Sequence, residues 1–448
     1  LNASVVNGYT PVNADALPFL TMGGTSTGTF ASINLPAGFS AGYALAAGEA
    51  ARLIYAGGAG GTIVFTNTAG GLDWSVAGNW SGGILPGIFD TALISAGHLV
   101  NHSTGNHSIA GLTVNASNSL DVSGGSLTVS GATNVGGVLM VSGGTLTLNG
   151  TSTLSTLNLT GNSQLNGSGA VTVSLMNWIG GTVSGSGALT VNGTLSLPNS
   201  ATARVLSGRT FDHFGNAVLN STGMGLEIIN GGVFNNRLGA VFEIRNTAGI
   251  GNSGSTSGAG AFNNFGTLSR TTNAGVTLIW PNNTSDALNF NNTGTVSVTA
   301  GGLKFMTAGT HTGSFNVATG ASLEFASTQS LNAASINGLG ALSISGAINA
   351  NNAGAVNVGS FTMTAGGSWN QISVAPGSFY ASDFNVVNGT FIRALGGDGS
   401  TATPYQLTDI YGVQGIGSVG MLGNSYVLTK NIDASVTPGW NGGAGFSP

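Results

Sequence analysis

The chain has 448 residues, of which 77 are glycine and none cysteine, with 41% hydrophobic and only 5% charged residues and a formal net charge of −5 from 14 acidic and 9 basic side chains. It is too apolar for charged, aromatic-poor disorder, it has no basic stripe for nucleic acid or anionic lipid, and without cysteine it has neither disulfide staples nor thiol catalysis. No apolar run reaches the roughly 18 residues of a membrane-spanning helix, and Leu1 is not followed by the charged and apolar regions of a signal peptide.

Residues 1–62 read as a β-rich junction module, the end of a preceding unit. Phe30-Ala31-Ser32-Ile33-Asn34-Leu35-Pro36-Ala37-Gly38 is non-repetitive, Ala51-Arg52-Leu53-Ile54-Tyr55 is strand-like, and the glycine-rich stretch 57–61 reads as a hinge. Residues 72–100 bring Trp74, Asn79-Trp80-Ser81-Gly82-Gly83, Pro86 and Asp90. Trp74 and Trp80 stand six apart, which in a regular strand gives one face, and rings on a rigid surface stack against sugars or a neighbouring protein. They are the candidate partner or carbohydrate contacts; their structural alternative is to plug the end of a coil stack. His98, His102 and His107 have spacings that suit a helix better than a strand-and-turn region, so no metal site is expected there.

The segments 123–131 (Ser-Gly-Gly-Ser-Leu-Thr-Val-Ser-Gly) and 142–150 (Ser-Gly-Gly-Thr-Leu-Thr-Leu-Asn-Gly) are near copies offset by 19 residues. A period near 20 marks a solenoid. Leu120, Leu139 and the pair Leu157 and Leu159 keep step, as do Leu127, Leu146 and Leu165. Apolar-polar-apolar triplets such as Leu112-Thr113-Val114, Leu127-Thr128-Val129 and Val171-Thr172-Val173 are short strands with one buried face, and the runs between glycines are too short for helices. The expected fold is all-β, a right-handed parallel β-helix over residues 63–395 with small β-rich modules at both ends. Its handedness is taken from the preference of parallel crossovers. Roughly 13 coils at about 4.8 Å each give a stack on the order of 60 Å.

From Phe211 the ruler changes to Phe211-Asp212-His213-Phe214-Gly215, Phe234-Asn235-Asn236, Phe262-Asn263-Asn264-Phe265-Gly266, Phe290-Asn291-Asn292-Thr293-Gly294 and Phe315-Asn316, at steps of 23, 28, 28 and 25 residues. Stacked Asn235, Asn263 and Asn291 are expected to form an amide ladder, with Phe234, Phe262 and Phe290 stacked inside.

Chemistry finds little purchase. The richest charged stretch, 204–245, holds Arg204, Arg209, Asp212, His213, Glu227, Arg237, Glu243 and Arg245, but Leu226-Glu227-Ile228 and Phe242-Glu243-Ile244 alternate so that each Glu points outward. Lys304 and Glu324 stand 20 apart and are expected to pair on neighbouring coils. Gly396-Gly397-Asp398-Gly399 occurs once, whereas glycine-aspartate calcium turns need stacked repeats. No catalytic residue, metal or cofactor is therefore expected.

The Asp73-Trp74 and Asn79-Trp80-Ser81-Gly82-Gly83, Pro86, Asp90 pattern resembles the start of a repeated module in filamentous-haemagglutinin-type adhesins and related autotransporter exoproteins of Gram-negative bacteria. The Phe-Asn-Asn-x-Gly coils resemble the same proteins. The tail from residue 396, with Pro404-Tyr405-Gln406-Leu407 and Asn431-Ile432-Asp433-Ala434-Ser435, is similar to the segment that in them leads into GLUG repeats. The resemblance covers the chain from about residue 20 to its end.

It implies a secreted protein on the outer cell surface of a Gram-negative bacterium, of which this chain is an internal piece, residues 396–448 beginning a further β module. The expected role is a non-enzymatic stalk or adhesin segment. Its partners would be a surface glycan or protein receptor, other modules of the same large chain, or further copies of itself, with no nucleic acid and no membrane span. Alternatives are a self-assembling extracellular filament subunit and a β-helix polysaccharide lyase or hydrolase.

Overall fold

A computed structural model describes residues 16–21, 39–43, 49–55 and 60–447, apart from 223, 252–257, 273–274 and 281–287. Strands take 51% of the residues and helices 5%, so the chain is nearly all β, a β-solenoid of parallel stacked coils. It divides into two units, Leu1–Leu175 with Gly185–Ala188, and Met176–Ser184 with Leu189–Pro448.

The first unit opens with three antiparallel strands in which Glu49–Tyr55 lies between Ala16–Thr21 and Phe39–Tyr43. The strand expected at 51–55 falls inside the central one. The segment 30–38 and the first three residues of the expected hinge at 57–61 lie outside the described residues.

Parallel pairing begins at Thr62–Val64 and builds three faces. Thr62–Val64, Thr91–Ile94, Gly111–Val114 and the start of Thr133–Val141 stack on one. Leu99–His102, Ser119–Val122 and the end of Thr133–Val141 form the second. Asn106–Ile109, Ser126–Val129, Thr145–Leu148 and Gln164–Asn166 form the third. Leu127 pairs with Leu146 and Leu146 with Leu165, so the 19-residue offset is one coil. Strand alternation sends Leu127, Val129, Leu146 and Leu148 inward to complete burial while Ser126, Thr128, Thr145 and Thr147 stay half-exposed. Each such leucine contributes about 1.5–3 kcal/mol by leaving water.

The second unit repeats the three-faced plan. On one face Phe211, Phe234, Phe262 and Phe290 pair in register. Their rings stack at centroid distances of 4.9, 5.0 and 5.5 Å with planes within 16° of parallel, and Trp178 continues the stack at 5.8 Å from Phe211. Phe315 does not extend this column. Asn292 pairs with His311, so the coil after Phe290 shortens to 19 residues, and Phe315 is carried onto a different face opposite Val296.

Coils also touch backbone to backbone. A Cβ placed on Gly294 would stand 2.1 Å from the Gly266 carbonyl oxygen, and one on Gly313 would stand 2.0 Å from that of Gly294, so this corner admits only glycine.

The tail carries a small two-stranded sheet of its own, separate from the coils. It holds one parallel pair, Tyr405–Leu407 with Tyr426–Leu428, and two short helices, α1 (Ile410–Gly415) and α2 (Trp440–Gly443). Tyr411 and Trp440, 4.9 Å apart, each approach the Phe384 ring of the last coil at 5.2 Å. Arg393 at the end of that coil pairs with Asp409, which caps α1, at 2.6 Å. Aromatic burial thus covers apolar surface that a further coil would otherwise cover.

Candidate functional site

Trp74 and Trp80 are buried, at 0% and 2% exposure, which corrects the reading of them as contacts for a partner. The same-face spacing fails because Trp80 sits between two 3-10 turns, Ala77–Asn79 and Ser81–Gly83, rather than in a strand. The two indoles meet edge to face at 4.7 Å, and Phe65 meets Trp80 at 5.0 Å. Trp80 Nε1 donates to the Trp74 carbonyl at 2.8 Å. Buried Asn79 ties down the preceding loop by accepting from Ala69 N and donating to the carbonyls of Gly70 and Asp73. Asp90, also buried, accepts from Gly61 N and Gly87 N. The Trp-Asn-Trp-Asp pattern is therefore a lock over the first parallel coil.

The histidines behind that lock are committed to one another. His102 Nδ1 lies 3.0 Å from the Gly124 carbonyl, a contact only an N–H makes, and its Nε2 shares a hydrogen bond with His107 Nδ1 at 2.8 Å. Burial, followed by the neighbouring His102, holds the His107 imidazole below its ordinary range. His98 packs on Phe65 at 5.4 Å instead. Among the described residues no three His, Cys, Asp or Glu side chains gather as a metal requires.

The amide ladder exists, and it is double. On the outer side Asn235 donates to Asp212 at 2.8 Å, Asn263 to Asn235 and Asn291 to Asn263 at 2.9 Å, and Asn291 accepts from Thr310 N at 3.1 Å. The second asparagine of each motif points inward. Asn236 donates to Asn264 and Asn264 to Asn292, both at 2.8 Å. Each inner amide also reaches a backbone carbonyl, of Thr267, Thr295 and Ser314 respectively. His213 precedes this buried column and His311 follows it in register. The inner column was missed in the sequence, although period-two alternation after an inward Phe places the second Asn inward.

The charged stretch 204–245 disperses. Asp212 pairs with Arg237 at 2.6 Å, and Glu243 pairs with Arg245 at 2.8 Å and accepts from Thr271. Arg204 is buried, donating to the carbonyls of Trp178, Gly225 and Pro198, and Arg209 donates to that of Ser184. Burial pulls both guanidiniums down to about 10. Glu227 is 6% exposed rather than outward and solvated. Its register neighbours on the next coils are Gly251 and then Trp280, whose indole folds over Gly249 and Gly251 and closes that side.

Lys304 and Glu324 pair at 2.8 Å on neighbouring coils. Asp398 is spent on its own turn, accepting from Ser400 N at 2.9 Å and from Thr403 Oγ1 at 2.5 Å, and these hydrogen bonds hold it down at about 2.

A half-open groove of about 320 Å³ lies between the last coil and the tail. It is lined by Tyr380, at 47% exposure, by 408–411 at the start of α1, and by Lys430, Asn431, Asp433 and Ser435 of the tail. The segment 408–411 is fixed: Tyr411 Oη accepts from Ala381 N at 2.9 Å, and Asp409 accepts from Arg393 Nε at 2.6 Å and from Gly412 N at 3.0 Å. No family model, no curated protein and no solved structure matches the chain.

Proposed function

We propose that this chain is a non-enzymatic stalk segment of a large secreted bacterial surface protein, a stiff spacer that holds adhesive elements away from the cell. The observation that carries the reading is the continuity of the interior: from Phe211 to Phe290 each coil passes its aromatic and amide columns to the next in register. Columns of that kind resist bending and local opening, because an amide that leaves the ladder abandons partners on both sides. The likeness of the tryptophan-rich loop and of the tail to adhesin modules supports the extracellular setting.

Electron microscopy of the purified chain over a range of concentrations tests it. Isolated short particles at every concentration support a spacer. Fibres of regular width that lengthen with concentration would replace it with a filament subunit, and release of oligosaccharides from a polysaccharide panel would replace it with an enzyme.

A further inference from the structure

We propose that the groove lined by Tyr380 and Asp433 is a saccharide-binding site for a neutral hexopyranose unit. Its volume of about 320 Å³ is at the small end of the range for small-molecule sites. A pyranose ring presents apolar C–H surface together with a rim of hydroxyls, each both donor and acceptor. It is therefore recognised by an aromatic wall beside mixed polar groups.

The groove supplies both. The half-exposed Tyr380 is the aromatic surface. On the same lining, the Asn431 amide and the Lys430 ammonium engage no other described residue through a hydrogen bond, and Asp433 is engaged by Ser435 alone, whose N–H meets Oδ1 at 2.9 Å. Donors and acceptors are thus available side by side.

Charge selects against ionic ligands. Asp409 is paired with Arg393 behind the lining, and the lining's other two charges, on Lys430 and Asp433, are opposite in sign, so these four charges sum to zero. A divalent cation is disfavoured further because both Asp409 oxygens already accept from N–H donors. The segment 408–411 is held by Tyr411 and Asp409 and needs no ordering when a ligand arrives. The site goes beyond the stalk reading and stands without it, since it uses only residues of the last coil and the tail.

The test is saturation-transfer NMR on the full chain with cellobiose, maltose, lactose and chitobiose, beside the Tyr380→Ala and Asp433→Asn chains, with circular dichroism to establish their folds. The expected result is saturation transfer to the ring protons of at least one disaccharide, weakened about tenfold or more in both variants and retained in Tyr380→Trp. Absence of transfer to all four sugars, or transfer unchanged in Tyr380→Ala, overturns the proposal. So does a shift of groove resonances with calcium alone and none with sugar.

Discussion

Asn235 donates its side-chain amide to the Asp212 carboxylate at 2.8 Å, so the outer ladder starts on a group that only accepts. That terminus sets the orientation of every amide behind it: Asn263 must donate to Asn235, and Asn291 to Asn263. The ladder ends where the Asn291 oxygen meets the Thr310 N–H. Asp212 is itself held by Arg237 at 2.6 Å.

The two ladders differ in what their loss costs. Asn264→Ala deprives Asn236 and Asn292 of a buried partner and leaves the Thr295 carbonyl short, an expected loss of about 2–4 kcal/mol. Asn263→Ala, on the half-exposed outer side, is expected to cost about 1 kcal/mol or less, because water replaces the lost amide. Thermal unfolding followed by circular dichroism distinguishes them, and equal losses would contradict the burial difference.

Truncating the aromatic column has a larger effect. Phe262 lies between Phe234 and Phe290 and meets Phe242 edge to face. Phe262→Ala is expected to destabilise by about 3–5 kcal/mol and Phe262→Leu by clearly less, since leucine refills most of the volume. Chemical denaturation of the purified variants measures both.

At the glycine corner the constraint is steric. Gly294→Ala forces the new methyl against the Gly266 carbonyl, and the coils must separate to admit it. Hydrogen exchange should show loss of protection at Thr295, whose N–H bonds to Gly266 O, and at Ser314, whose N–H bonds to Gly294 O, with strands several coils away unchanged.

Acid should weaken the fold through its buried histidines. Burial pushes His311 down to about 4, and it lowers His213 as well. An unfolded histidine titrates near 6.5, so between that pH and about 4 the unfolded chain binds the proton that the folded chain refuses. Stability is complete above about 6.5 and falls with pH below it, by on the order of 3 kcal/mol at pH 4 for His311 alone. His311→Asn, which continues the inner asparagine column in register, is expected to flatten melting temperature against pH in this window.

Ion pairs should separate by burial. Lys304→Ala breaks a pair whose side chains are each 29% exposed, for an expected change of about 1 kcal/mol or less that shrinks with salt. Arg393→Ala removes a buried guanidinium that holds Asp409, Gln371 and the Gly377 carbonyl, and is expected to cost about 3–5 kcal/mol. Melting temperatures of the two variants at low and high salt check the contrast.

The coil stack was legible because Leu127, Leu146 and Leu165 recur at a fixed offset, and a period is a direct record of what lies above what. Trp74 and Trp80 were harder: six residues apart means one face only if the segment is extended, and turn-forming glycines around Asn79 decide otherwise. The groove was invisible in sequence, since Tyr380, Asp409 and Asp433 come together only when the tail folds back on the last coil. No local spacing encodes that contact.

The outer and inner asparagine ladders run with opposite polarity along the stack. Outer amides hand their N–H groups toward earlier coils and inner ones toward later coils. Their dipoles oppose, so lengthening both ladders by a coil adds no net field along the axis, unlike a helix whose peptide dipoles all align. Coils of this type can be multiplied without charging the ends, and neither the first coil nor the last gains an electrostatic pull on ions or on another chain as the stack grows.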